Sequence, residues 1–170
     1  MVDFNVVSTF STRKILELAK RDTIQVGIVE GQTHATDGQD VSDIAKKLSF
    51  GTSIIPARPF LEEGMNSGMP EIKQAIEDHY RNIVNAKDFT TQATRDPKGL
   101  AKIGALAVGA VKAFVFGDYY RSTIPNAEST IYNKSKKNKK GEITKLSDKP
   151  LIDTGQMINS VTYLVNGKEL

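Results

Sequence analysis

His34 stands in a polar stretch with Asp37 and Asp40, and an imidazole beside two carboxylates is a minimal set for binding a metal or moving a proton. No third or fourth ligand is spaced to complete a metal site. The other histidine, His79, neighbours Tyr80 on an amphipathic segment, where a position at the core boundary accounts for it. The chain has no cysteine, which removes disulfides, thiolate metal ligands and cysteine nucleophiles. Gly27, Gly31, Gly38 and Gly51 fit neither phosphate-cradling spacing, and Gly104-x-x-x-x-Gly109 is followed by Ala110 and Val111 rather than Lys and Ser or Thr. There is no G-x-S-x-G elbow and no recognisable triad. The carboxylates are scattered, with no pair set in apolar surroundings that would push two pKa values apart. The sequence therefore predicts no enzyme, no metal and no cofactor.

Charge offers a second kind of chemistry. Lys134, Lys136, Lys137, Lys139 and Lys140 place five lysines in seven residues. Residues 131–170 hold eight lysines against four acids, whereas residues 1–130 hold fifteen basic and sixteen acidic side chains. Such a run can contact phosphates, and counterion release would make that contact salt-sensitive. No aromatic interleaving or groove-reading helix accompanies it. The reading is a basic flexible excursion at about 133–148 that meets a partner or phosphate, with a nucleic-acid-binding accessory protein as the alternative function.

The elements that would position these groups follow from pattern. At 170 residues, 39% hydrophobic and 25% charged, with a formal charge of +3, the chain has the composition of one soluble globular domain, 1–170. Met1–Phe10 lacks the features of a secretory signal. Ser11–Arg21 reads as a helix, Thr23–Val29 and Ser160–Val165 as strands, and Glu30–Asp40 as a long loop suited to binding. Asp40 would cap a helix over Val41–Leu48, stopped by Gly51. Pro56 and Pro59 bar Thr52–Phe60 from a central strand, leaving an extended edge or crossover. Gly64–Pro70 breaks the pattern before a helix over Glu71–Ala86, and a longer helix covers Lys98 to about Tyr120. Asn126–Lys137 suggests a short helix with Ile131 and Tyr132 inward. Gly99–Gly117 approaches membrane-spanning length, but Lys102 and Lys112 each cost about 2.5–3.5 kcal/mol at membrane depth. It reads as a buried or self-associating helix, no membrane being expected, with Gly104, Ala105, Gly109 and Ala113 offering a smooth surface for close approach.

Three blocks carry a family resemblance. Val26–Leu61 (VGIVEGQTHATDGQDVSDIAKKLSFGTSIIPARPFL) resembles the strand, variable loop, short helix and E-F-G-T-x-x-I-P-x-R-P-F-L of the neck and tail-completion proteins of long-tailed bacteriophages, also labelled virion morphogenesis or minor tail proteins. Ser49 stands where that family usually has Glu. Ile124–Lys134 (IPNAESTIYNK) is similar to its Pro-rich lead into a T-I-x-x-K helix, and Lys149–Tyr163 (KPLIDTGQMINSVTY) to its K-P-L-I-D-T-G-x-L/M-x-x-S-I-x-Y. The resemblance implies a structural virion protein at the head–tail junction, assembled in the host cytoplasm. It implies a homo-oligomeric ring, hexameric, which stacks on a connector or head-completion protein and a tail-tube protein around a lumen where non-specific DNA contact occurs.

The motif physics agrees with a scaffold. Pro56 and Pro59 stiffen an extended segment, Phe60 anchors it in the core, and Asp153, Thr154 and Gly155 shape a tight turn. Arg58 can bond backbone carbonyls or a neighbouring subunit's carboxylate. The candidate subunit or ring contacts are Arg58, Gly104, Ala105, Gly109, Ala113, His34 and Asp37. The expected fold is α+β, with a mainly antiparallel sheet of three to four strands, Phe4–Val7 and part of Thr52–Phe60 included, packed against two long helices with extended loops.

Overall fold

A computed structural model describes residues 22–35, 38–85, 97–145 and 147–168. The fold is α+β. In chain order the elements are β1 (Ile24–Ile28), α1 (Val41–Phe50), α2 (Phe60–Ser67), α3 (Met69–Asn85), α4 (Pro97–Phe116), α5 (Tyr119–Thr123), α6 (Glu128–Lys134), β2 (Lys136–Lys137), β3 (Ile143–Lys145), α7 (Gln156–Asn159) and β4 (Val161–Val165). The expected strand Phe4–Val7 and helix Ser11–Arg21 lie outside the described residues.

The sheet is smaller than expected. Among the described residues β1 pairs only with β4, and β2 with β3 forms a separate antiparallel ladder. Thr52–Pro59 joins neither, because its prolines lack a ladder donor and its other backbone groups are used locally. Thr52 N–H donates to the Ile55 carbonyl at 2.8 Å, and Arg58 N–H to the Leu48 carbonyl at 2.9 Å. Helix is spread over seven segments among the described residues rather than concentrated in two.

The chain resolves into two compact units. The first gathers the described parts of 1–26 and 163–170 with Met69–Ala107. Pro70 occupies the first turn of α3, where its missing donor costs nothing. Ile72 and Ile83 on α3 are buried, as are Leu100, Ile103 and Ala107 on α4. A Cβ at Gly104 would overlap the ring of Tyr163, lying 2.6 Å from its Cγ. Asn166 N–H donates to the Thr23 carbonyl at 2.9 Å while its Oδ1 accepts from Thr23 N–H at 2.8 Å, which closes one end of the β1–β4 pair.

The second unit comprises Gly27–Gly68 and Val108–Thr162. Asp40 caps α1 through Oδ1, which accepts from Ser42 N–H at 2.8 Å, and Gly51 ends it at φ +75°. A side chain at Gly51 would strike the Ile55 and Ala57 backbone at 2.8 Å, so glycine is required there. Phe60, fully buried, opens α2 instead of closing an extended segment. The break within Gly64–Pro70 falls at Gly68, between α2 and α3; Gly64 itself lies inside α2, where an added Cβ would fall 2.7 Å from Val111 Cα of α4. Val41, Ala45, Val111, Val115, Tyr120, Met157, Ile158 and Val161 are buried with Phe60.

Gly117 follows the end of α4, and Tyr119–Thr123 forms a separate turn of helix. Pro97–Thr123 is the one stretch among the described residues long and apolar enough to cross a membrane, by length and composition. Its stripe Leu100, Ile103, Ala107, Val111 and Val115 is buried within the protein.

Candidate functional site

The second unit holds a groove of about 460 Å³. Its walls come from the loop before α1, from α1 itself, from the Thr52–Pro59 segment, from α6 with its lead, and from Leu151–Met157. All three blocks that carry the family resemblance contribute residues to it.

Arg58 ties two of these blocks together. It is only 4% exposed, its Nε donates to the Ile124 carbonyl at 3.0 Å, and its Nη2 to the Pro125 carbonyl at 2.9 Å. Burial holds the guanidinium pKa below its ordinary value. The block from Ile124 is joined to the start of the last one, and to the residue just before it, by two further side chains. Asn126 Nδ2 donates to the Asp148 carbonyl at 3.2 Å, and Lys134 Nζ to the Lys149 carbonyl at 2.9 Å. Burial lowers the Lys134 pKa, the Arg58 charge pushes the same way, and Asp153 and Asp148 oppose them.

Gln156 fastens the long loop. Its Oε1 accepts from Ala35 N–H at 2.9 Å and its Nε2 donates to the Thr33 carbonyl at 2.8 Å. Within the loop His34 N–H donates to the Gln39 carbonyl at 2.7 Å and Gly38 N–H to the His34 carbonyl at 3.0 Å. Asp40 Oδ2 accepts from Gly31 N–H at 2.6 Å. Hydrogen bonds from Ser42 and then Gly31 hold the Asp40 carboxyl below its ordinary pKa. The described residues of the loop are thus held by hydrogen bonds. Leu151, at φ +62°, turns the chain into the Ile152–Thr154 segment in a conformation that non-glycine residues seldom adopt.

No protein-family model, no curated protein and no solved structure matches the chain.

The geometry sorts the residues singled out in the sequence. Arg58 does not stand at the surface as an ion-pair donor to a neighbour: burial and two carbonyls hold it inside its own unit, as the carbonyl reading of that residue requires. His34 and Lys134 reach the groove. Asp37 lies outside the described residues. Asp153 is exposed at the groove, and Thr154 is the residue whose hydroxyl accepts from Gln156 N–H, at 3.2 Å. Gly155 takes φ +81° as the N-cap of α7. Pro56 and Pro59 frame Arg58. Gly104 is buried under Tyr163 and unavailable to a second chain, whereas Ala105, Gly109 and Ala113 are exposed on α4.

The basic stretch forms a short hairpin. Lys136 pairs with Lys145 and Lys137 with Ile143. Asn138 Oδ1 accepts from Lys140 N–H at 2.9 Å and Glu142 N–H at 3.0 Å, and Gly141 turns at φ +82°. Tyr132 is half exposed rather than inward, with Lys137 Nζ 3.5 Å above its ring. Lys136, Lys139 and Lys140 are exposed.

Sequence reasoning missed Asn126, Gln156 and the hydrogen bond from Tyr120 to Glu63. Each partner lies 22 to 123 residues away, beyond any periodic signal. Among the described residues no three His, Asp or Glu side chains gather as a metal site. Arg58, Asn126, Lys134 and Gln156 around the groove are directed at backbone groups, and Lys47 at the Gln39 side chain, so what the arrangement can do is hold segments together and present positive charge.

Proposed function

We propose that this chain is a structural virion protein that forms a ring, hexameric, at the head–tail junction of a long-tailed bacteriophage. It would join the tail to the head and leave a lumen for DNA. The observation that supports the reading is the joining of the three resembling blocks by side chains that clamp backbone: Arg58 to Ile124 and Pro125, and Lys134 to Lys149, with Asn126 holding Asp148 just before the last block. Residues used this way stiffen a subunit against load. They are not disposed as nucleophile, base and oxyanion donor. Exposed Ala105, Gly109 and Ala113 supply flat surface on α4 for a neighbouring copy. A head-to-tail contact whose rotation divides the circle closes into a ring.

Light scattering on the purified chain, with class averages of negatively stained head–tail complexes, tests this. The expected result is several copies in rotational symmetry at the junction. Absence from the junction, or a single copy there, overturns the reading.

A second reading, a nucleic-acid-binding accessory protein, draws on one observation: the β2–β3 hairpin presents exposed Lys139 and Lys140. It requires that the monomer bind DNA with an affinity that falls steeply with salt.

A further inference from the structure

Arg58 and Lys134 line the same groove, and neither is matched by a carboxylate at ion-pair distance among the described residues. Arg58 is almost wholly buried and bonds only neutral carbonyls. A charge removed from water normally has an opposite charge beside it, because carbonyl dipoles satisfy its hydrogen bonds without cancelling its charge. Among the described residues Lys47 adds a third cation to the lining, against Asp153 as its one carboxylate, which leaves a surplus of two positive charges there. The chemistry that complements such a lining is an anion.

The groove's size and floor narrow the anion's nature. Its volume is about fifteen times the ~30 Å³ share of one water, so an inorganic oxyanion would fill only a small part of it. Ile44, Leu48, Ile55 and Met157 give it apolar wall beside the cations. A few apolar positions beside a small number of placed polar groups is how a site takes a ligand with both kinds of surface. We propose that this groove is a docking site for an acidic, extended peptide segment of a partner protein, with a Glu or Asp carboxylate of the partner meeting the Lys134 ammonium and offsetting the buried charge of Arg58. The site goes beyond the ring reading and stands without it.

The test uses the full chain, titrated with two capped peptides of the same apolar frame, Ac-Ile-Glu-Ala-Glu-Leu-NH2 and its Gln-for-Glu counterpart, and separately with inorganic phosphate. Amide resonances of Thr130, Lys134, Gly155 and Gln156 should shift with the acidic peptide, and the Gln peptide should bind about tenfold more weakly or worse, as loss of a charged hydrogen bond implies. Lys134→Met should cost a similar factor, Lys134→Arg should retain binding, and Lys140→Met, the same charge change on the hairpin, should leave it unaltered. If Lys134→Met fails to fold, Lys47→Met at the exposed end of α1 serves in its place and should weaken binding several-fold. Equal binding of the two peptides, equal loss in Lys134→Met and Lys140→Met, or no shift at millimolar peptide overturns the proposal. Phosphate shifting the same resonances as strongly as the acidic peptide overturns it in favour of a phosphate site.

Discussion

Gln156 meets Ala35 as one strand meets another: its side-chain Oε1 accepts from Ala35 N–H at 2.9 Å while its Nε2 donates to the Thr33 carbonyl at 2.8 Å. One carboxamide thereby supplies both halves of a ladder rung to the loop. Gln156→Ala should cost about 1–2 kcal/mol, the net value of two exposed hydrogen bonds. Hydrogen exchange should quicken at Ala35 while remaining unchanged in α3. If Ala35 exchanges at the same rate in the variant, the clamp does not hold the loop.

Gly104 and Gly109 look alike in sequence and differ in surroundings. A Cβ at Gly104 would overlap the Tyr163 ring, so Gly104→Ala should destabilise by about 1–3 kcal/mol, the usual cost of overpacking. At Gly109 a Cβ meets nothing within 4 Å, and Gly109→Ala should stabilise by up to about 1 kcal/mol through helix propensity. Thermal melts of the two variants moving in the same direction would contradict this placement.

The local grammar of the chain was legible and its long-range joins were not. Asp40 and Gly51 mark the start and stop of α1 because capping and a positive φ are properties of adjacent residues. Gly64 misleads because its reason lies in another helix: α2 needs a residue without a side chain where the Val111 backbone passes. Arg58 could be read as a rigidly held cation, but not as a buried one, since the carbonyls it holds lie 66 and 67 residues further on. Asn138 and Gly141 are turn formers that signal the hairpin, yet the surrounding lysines read as a flexible excursion. The groove was the least legible feature of all, being assembled from three separated stretches, 34–58, 126–134 and 151–157.

Tyr80 donates to Asp22 Oδ2 at 3.2 Å, and burial, with the nearby carboxylate, raises its phenol pKa to about 12. The folded pKa lies above the ordinary value near 10, so the unfolded chain ionises first on alkaline titration. The stability this group contributes is complete below about pH 10 and is lost as pH rises toward 12. Tyr80→Phe should therefore flatten the alkaline fall in stability across that window while leaving the slope near neutrality unaltered. Absorbance of tyrosinate against pH, with and without Tyr80, checks the assignment; a Tyr80 titration near 10 would refute it.

The five lysines of the basic segment are not equivalent, and their differences separate scaffold from contact. Lys134 is partly buried and bonded to the Lys149 carbonyl, and Lys137 lies over the Tyr132 ring, so both take part in the fold of their unit. Lys139 and Lys140 are exposed at the hairpin turn, where the backbone amide of Lys140, not its ammonium group, bonds Asn138. Lys139→Ser with Lys140→Ser should leave stability within about 0.5 kcal/mol of the parent, as surface changes usually do. Lys134→Ser should cost about 1 kcal/mol or more through the unsatisfied Lys149 carbonyl. If the hairpin touches DNA phosphates, the double variant should also lower the magnitude of the log K against log salt slope by about two, one for each phosphate that a lysine no longer neutralises. The ring reading instead requires that the double variant still assemble at the head–tail junction, its deficit confined to joining or DNA retention. Unfolding of the double variant would place Lys139 and Lys140 within the scaffold. An unchanged salt slope with intact joining would remove the hairpin from both readings.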